Sequence, residues 1–349
     1  MKKIREKFNG ELTSYKRIMM ALKGGKPDRV PVMPFVRDWA TKQCGFTVED
    51  TMNNVEKYVF SQYYCARSFG YDAVQDLGGV HAESEAMGSK LKIYKNESPS
   101  IVDYAIKDYD KDLKKLRILN PYKDGRLPII LEQIRRLKEL CKGDMVVDSY
   151  LQAPFRHAAM LRGNDIYRDI IKKRDKVNEL LEITLYSQII YGTAIVHAGA
   201  DIISISDPTS SGDIISRKQW LELGFIYIKK LVKELKKTGV KIYLHICGDT
   251  SDRLDTFIDL GIDGMSLDQK VDLEYARKVM GEKFPLIGNV SPTNLMYSTP
   301  DEVVEESKAC IEKAGKNGCF ILTSGCGIGR DAPVENIQAM VDTARNYFY

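Results

Sequence analysis

His245, Cys247 and Cys326 are the residues of this sequence whose types and spacing point most directly to chemistry. His245 and Cys247 stand two apart in Tyr243-Leu244-His245-Ile246-Cys247-Gly248-Asp249, at the end of an apolar, β-branched run. Side chains alternate faces along a strand, so this imidazole and thiol point to the same side, with Leu244 and Ile246 on the other. Cys326 follows a second such run, Phe320-Ile321-Leu322-Thr323, inside Ser324-Gly325-Cys326-Gly327-Ile328-Gly329. The flanking glycines let this loop approach other backbone closely. One imidazole and two thiolates from separate strands form a donor set for zinc, and three protein ligands leave a fourth position open, as in catalytic sites. Taken singly, His-x-Cys reads as core filler with a buried thiol, and Gly-Cys-Gly as a turn. Their joint position at two strand ends is what favours a metal.

Three more polar residues close expected strands: Asp268 after Met265-Ser266-Leu267, Asp207 in Ser206-Asp207-Pro208-Thr209, and Asn289 in Gly288-Asn289-Val290-Ser291-Pro292. Asp268 reads either as an exchangeable fourth ligand or as an orienting neighbour of the ligands, with a capping or solvated aspartate as the bland alternative. Asp207 and Asn289 are expected to position substrate or brace loops. Gln152, His81 and His157 are weaker candidates, and His197 is expected at the opposite rim in a structural role. Cys319 opens a strand at its far end, while Cys44, Cys65, Cys141 and Cys310 are scattered; all five read as small buried residues. The spacing in Gly325-Cys326-Gly327-Ile328-Gly329 fits neither common phosphate-binding pattern.

The elements that must position these residues recur along the chain as short apolar runs at 30–36, 72–77, 145–150, 201–206, 240–245, 262–267, 285–289 and 319–323. Eight is the number that closes a (β/α)8 TIM-type barrel, where the C-terminal ends of the strands carry the active site. Pro31 and Pro34 leave the first run only loosely paired. Helical periodicity fills the gaps, as over 217–237, and Thr299-Pro300-Asp301-Glu302 opens a helix reaching about 313. Residues 78–144 are the least regular and read as an insertion at the barrel mouth plus one barrel helix over 128–141. No linker divides the chain, so 1–349 is expected to be a single α/β barrel domain with N-terminal helices. An open doubly wound sheet is the competing architecture, but no Gly-rich phosphate turn follows the first strand.

Composition excludes several classes. With 52 basic and 48 acidic residues interleaved, the net charge of +4 gives no support to nucleic-acid or membrane-surface binding. The uncharged stretch 183–200 is interrupted by Ser187, Gln188, Gly192, His197 and Gly199, and reads as a buried helix leading into a strand. The basic residues 1–7 are not followed by the apolar core of an export signal. Seven cysteines without regular spacing argue against a disulfide framework, so a cytoplasmic location is expected.

Several pieces, in this order, resemble the uroporphyrinogen decarboxylase superfamily, specifically its cobalamin-dependent methyltransferase branch. They are Pro27-Asp28-Arg29-Val30-Pro31-Val32, Ala153-Pro154-Phe155 with Leu161-Arg162-Gly163, Ser206-Asp207-Pro208, His245-Ile246-Cys247-Gly248, Leu286-Ile287-Gly288-Asn289-Val290 and Gly325-Cys326-Gly327-Ile328. The resemblance implies a (β/α) barrel and zinc on His245, Cys247 and Cys326. It also implies a methyl group passed between a corrinoid protein and a small molecule, either a thiol such as coenzyme M or a methoxylated aromatic or other methyl donor. Thiol-methylating members tend to carry two consecutive glutamates where this chain has Asp268-Gln269, which leaves the fourth ligand open. No Asp-x-His-x-x-Gly motif is present, so the cobalamin is expected on a separate partner protein. A homodimer is compatible with the sequence. Two other functions remain as alternatives. A metal-free decarboxylase would leave the His/Cys/Cys set idle, and its arginine-rich signature is only partly echoed by Arg37-Asp38-Trp39. A zinc-bearing or corrinoid-binding protein without turnover is the other.

Overall fold

The computed structural model describes residues 12–76 and 80–349; the basic residues 1–7, Leu77 at the end of the second expected strand, and the first residues of the expected insertion lie outside them. The strands are β1 (Ala73–Asp76), β2 (Lys90–Lys92), β3 (Ser100–Asp103), β4 (Val146–Gln152), β5 (Ile202–Ser206), β6 (Lys241–Ile246), β7 (Gly264–Leu267), β8 (Leu286–Val290) and β9 (Phe320–Ser324). Seven of them form one parallel sheet in the order β1-β4-β5-β6-β7-β8-β9, with helices between successive strands. Sequential order with every neighbour parallel is the pattern of a (β/α) barrel.

The first expected strand, 30–36, closes the ring without becoming a regular strand. Met33 N–H donates to Leu322 O at 2.9 Å and Leu322 N–H to Pro31 O at 2.9 Å, while Asp72 N–H donates to Val32 O at 2.8 Å. The segment therefore lies between β9 and the start of β1. Pro31 and Pro34 have no N–H to give, so a continuous ladder cannot form. The eight expected runs thus appear as seven ladder strands and one bridging segment, the run expected to be only loosely paired.

Alternation sorts the strand residues into two cores. Ala73, Val146, Ile202, Tyr243, Ile287 and Ile321 point inward and pack with Ile18, Ala21 and Leu22, contributed by the N-terminal helix Ser14–Ala21 and its cap. This helix plugs the barrel at the end opposite the strand C-termini. Ile242, Leu244 and Ile246 of β6 point outward into the larger core beneath the helices. Asp72 ties the plug to the sheet: it accepts Arg17 Nη1 at 2.9 Å, Ser14 Oγ at 2.8 Å, and Arg29 Nη1 and Nη2 at 2.9 and 2.8 Å.

The helix expected over 217–237 is a continuous helical run containing one wider π turn, Trp220–Phe225. Gly224 lies in that turn, where an added Cβ would run into the Trp220 ring. The insertion holds the expected helix, found at Leu127–Cys141, and also an antiparallel hairpin, β2 with β3, that periodicity did not reveal. Among the described residues no helix is long and apolar enough to cross a membrane.

Candidate active site at the barrel mouth

β6 delivers His245 to the C-terminal rim, and Cys247 follows it just past the strand end. The loop after β9 carries Cys326 to the same place. His245 Nε2 lies 3.1 Å from Cys247 Sγ, and Cys247 Sγ lies 3.3 Å from Cys326 Sγ. One donor atom from each residue falls within 4.8 Å of the others. A tetrahedral zinc with ordinary bonds needs about 3.8 Å between sulfurs and about 3.6 Å between nitrogen and sulfur. Both of these gaps fall about half an ångström short of that spacing, and the third edge of the trio, His245 to Cys326, lies within 4.8 Å.

Neighbouring groups fix this arrangement. His245 Nδ1 lies 3.0 Å from Ser266 Oγ, which directs Nε2 toward the thiols. Ser266 is the register partner of His245 across β6 and β7 and is fully buried. Phe35 meets the imidazole edge-on at 5.6 Å. An added Cβ on Gly325 would lie 2.6 Å from Gln269 N, so the loop presenting Cys326 packs against the β7 loop backbone at a distance only glycine allows. The hydrogen bond with Cys326 holds the Cys247 thiol below its ordinary pKa despite burial, with Arg156 and Arg37 helping. The same hydrogen bond, together with burial, pushes Cys326 up to about 12.

A cavity of about 270 Å³ opens over the trio; its lining includes Phe35, Arg37, Tyr150, Arg156, Ser204 and Tyr243 besides the three donors. At about 30 Å³ per water, this volume suits a small molecule.

The other candidates stand around this centre rather than in it. Asp268 is buried, but among the described residues the cluster of donor atoms comprises only His245, Cys247 and Cys326. Its carboxylate accepts the Lys270 N–H at 3.0 Å, and its charge opposes ionisation of Cys247. Asp207 accepts Ser210 Oγ at 2.6 Å and Thr209 Oγ1, tightening the turn after β5, and burial pushes its pKa up to about 6. Asn289 Nδ2 donates to Asp268 O at 3.0 Å and Val271 O at 2.9 Å, bracing the β7 loop. Gln152 gives its backbone N–H and Nε2 to the buried Glu83 carboxylate, at 3.1 and 2.8 Å. His157 Nδ1 pairs with Gln188 Nε2 at 2.8 Å, and burial lowers its pKa to about 3, so it stays neutral. Burial, with Arg156, Arg126 and Arg37 nearby, lowers His81 to about 4. His197 ends the helix Arg174–Ala198, which leads back toward the N-terminal end of β5.

Sequence reading missed Ser266, Tyr150, Tyr243 and Arg156. Tyr243 and Tyr150 lie on β6 and β4 at inward positions, a signal that alternation carried. Arg156 follows Ala153-Pro154-Phe155, and nothing in its spacing marks it as a cavity residue.

Comparison with known proteins agrees with this fold. The family model for uroporphyrinogen decarboxylase (URO-D) matches residues 13–347. A "Methylcobamide:CoM methyltransferase MtbA" of Methanosarcina acetivorans is 30% identical over 344 residues, covering 97% of this chain and 99% of the relative. A "Methylcobamide:CoM methyltransferase MtaA" of Methanosarcina barkeri is 29% identical over 350 residues, covering 97% and 99%. The solved structure of a methyltransferase from Methanosarcina mazei superposes with a TM-score of 0.88 at 28% identity, covering 96% of this chain and 99% of the other. The chain therefore belongs to the uroporphyrinogen decarboxylase (URO-D) family.

Proposed function

We propose that this chain is a corrinoid-dependent methyltransferase that uses zinc, held by His245, Cys247 and Cys326, to pass a methyl group between a corrinoid protein and a small substrate. The observation that carries the reading is the meeting of an imidazole and two thiols within 4.8 Å on the wall of a cavity sized for a small molecule. Full-length similarity to methylcobamide:CoM methyltransferases supports it. The donor set favours zinc, because thiolates and imidazole suit that ion and three ligands leave one position for substrate. A decarboxylase would have no use for this trio.

Zinc bound there supplies Lewis acidity, which lowers the pKa of a thiol or polarises an ether oxygen. The chain's own side chains do the rest. Ser266 and Phe35 hold the His245 ring, and the packed Gly325 fixes the approach of Cys326. Arg156 and Arg37 favour negative charge on the sulfur face of the cavity. With a thiol such as coenzyme M as acceptor, the substrate sulfur forms an S–CH3 bond as the partner's Co–CH3 bond breaks. Both electrons of that bond stay with cobalt, and the thiol proton leaves to solvent. With a methoxylated aromatic donor, the transfer would run the other way: the O–CH3 bond breaks with its electron pair left on oxygen, and the reduced Co(I) corrinoid of the partner would supply the pair for the new Co–CH3 bond. The corrinoid partner docks over the strand C-terminal rim, the face on which the cavity opens. Asp268, whose backbone Asn289 braces, is the candidate for an exchangeable fourth ligand, and Asp207 holds the turn beside the cavity.

The test is turnover of the zinc-loaded chain in both directions. Methylcobalamin is offered with a panel of thiols, and reduced cobalamin with a panel of methoxylated aromatics. Methylated product in either arm, abolished by Cys247→Ala, is the expected result. Absence of methyl transfer in both arms, with the metal present, would overturn the proposal.

A further inference from the structure

Charge covers the outer faces of two barrel helices. Lys229, Lys230 and Lys233 face solvent on Ile226–Leu235, and Asp301, Glu305, Lys308 and Glu312 do so on Pro300–Ala314. The helix Arg174–Ala198 departs from this. From Ile183 to its end it contains no Asp, Glu, Lys or Arg. Leu185, Gln188, Tyr191 and Ile195 are buried, as the inner face of a barrel helix must be. On the outer face Tyr186, Ile190 and His197 are exposed, and Ile183, Ile189, Thr193 and Val196 lie half-buried between them. A helix without charge on any side belongs inside a protein, because charged residues normally mark the face left to water. Residues 183–197 carry this uncharged face over about 22 Å.

A second apolar element stands beside it. The segment Ile118-Leu119-Asn120-Pro121-Tyr122 and the helix enclose a groove of about 590 Å³, whose helix wall includes Ile190, Thr193 and His197. The segment is held in place before anything packs on it. Asn120 N–H donates to Asp124 Oδ2 at 2.6 Å, Tyr122 N–H to Asn120 Oδ1 at 3.0 Å, and Arg117 Nη2 to Asp124 Oδ1 at 2.8 Å. Little is left to order when a partner covers Ile118 and Tyr122. Tyr122 is 63% exposed, Tyr186 58%, Ile190 43% and Ile118 38%. With the half-buried residues around them, they leave about 600 Å² open on one chain, at the ~150–250 Å² that a whole aromatic side chain presents. Two such faces together reach about 1,200 Å², where specific and stable interfaces begin.

The occupant this face suits is another copy of the chain. A two-fold axis sets the same residues on both sides, so any charge there would meet its like; this stretch of helix carries none. The face also lies away from the docking side of the corrinoid partner. The helix descends the flank of the barrel to the N-terminal end of β5, whereas the cavity over the thiols opens at the strand C-termini.

We propose that this flank is the interface of a homodimer. The helix face 183–197 of each copy packs across a two-fold axis into the groove between helix and 118–122 segment of the other. Tyr186 and Tyr122 are its aromatic anchors, and Ile190 and Ile118 the aliphatic surface they cover. The inference is independent of the methyl-transfer reading, since the association needs neither metal nor substrate.

The experiment is sedimentation equilibrium of the full chain through the micromolar range. The wild type should show twice the 39.6 kDa of one chain. Tyr186→Glu and Ile190→Glu should each weaken association by roughly thirtyfold or more, because each sets a charge and its copy at the centre of the contact. Tyr122→Glu should act alike while leaving the helix unchanged. All three positions face solvent in the single chain, so urea melts of the separated chains should match wild type. Tyr297→Glu, at a residue 83% exposed on the helix after β8, should leave the mass at two chains. A wild type of single-chain mass would overturn the proposal. So would a dimer untouched by the three flank substitutions, or one weakened as much by Tyr297→Glu. Hydrogen exchange over 183–197 that a corrinoid protein slows and self-association does not would assign the face to that partner, and overturn it likewise.

Discussion

Ser266→Ala tests how the site holds its imidazole. The hydroxyl is fully buried and lies 3.0 Å from His245 Nδ1, on a ring that is itself only 8% exposed. Removing it leaves Nδ1 without a partner in a place water does not reach, and frees the ring to rotate or take the wrong tautomer. Loss of such a support typically costs ten- to a hundredfold in metal affinity. The Phe35 edge contact at 5.6 Å still restrains the ring, and the partner is a neutral hydroxyl rather than a carboxylate. We therefore expect the low end, about tenfold, equivalent to about 1.4 kcal/mol. The assay is competition for zinc against a chromophoric chelator, with urea unfolding of the metal-free protein alongside. Stability should fall by only about 1 kcal/mol, since one neutral hydrogen bond is lost. A zinc affinity within twofold of wild type would refute the reasoning, as would an affinity loss fully matched by global destabilisation.

Three further perturbations probe the frame around the site. Gly325→Ala places a Cβ 2.6 Å from Gln269 N, so the Cys326 loop must shift; zinc affinity should drop by about tenfold or more, with about 1–3 kcal/mol lost in urea melts. Asp72→Asn removes the charge facing two buried arginines and should cost about 3–5 kcal/mol by the same melts. Burial works to raise the Asp72 pKa, but Arg29 and Arg17 outweigh it and hold it below the ordinary value. Its stabilisation is thus complete above an unfolded-state pKa of about 3.9 and disappears as pH falls through the lower folded value, a slope that Asp72→Asn should flatten. Asp148 has the opposite sign: burial pushes it up to about 7, so stability should decline as pH rises from about 4 to 7, and Asp148→Asn should reduce that decline.

What the sequence disclosed, and what it withheld, follows from the range of each signal. Alternation along 243–247 placed His245 opposite Leu244 and Ile246, and in the fold Leu244 and Ile246 do enter the outer core while Tyr243 points inward. Strand-end placement on one rim accounted for Cys326 joining them. Ser266 was illegible because its partnership depends on the register between β6 and β7, which pairs it with His245, and no local pattern sets that register. Arg156 acquires its place only through Tyr150 at the end of β4 and the cavity beside it. The 30–36 run showed its apolar character and its prolines, but how far missing N–H groups interrupt a ladder depends on the neighbours, β9 and β1. The hairpin of β2 and β3 escaped because its strands are only three and four residues long and bury no residue fully, too little for a two-residue period to stand out.

The central claim meets its most direct test in X-ray absorption at the zinc edge, combined with metal analysis of the purified chain. We predict one zinc per chain with two sulfur neighbours at about 2.3 Å and one imidazole nitrogen at about 2.0 Å, completed by a light atom that a thiol substrate replaces with a third sulfur. A metal-free protein that still transfers methyl groups, or a bound zinc whose surroundings lack sulfur, would contradict it.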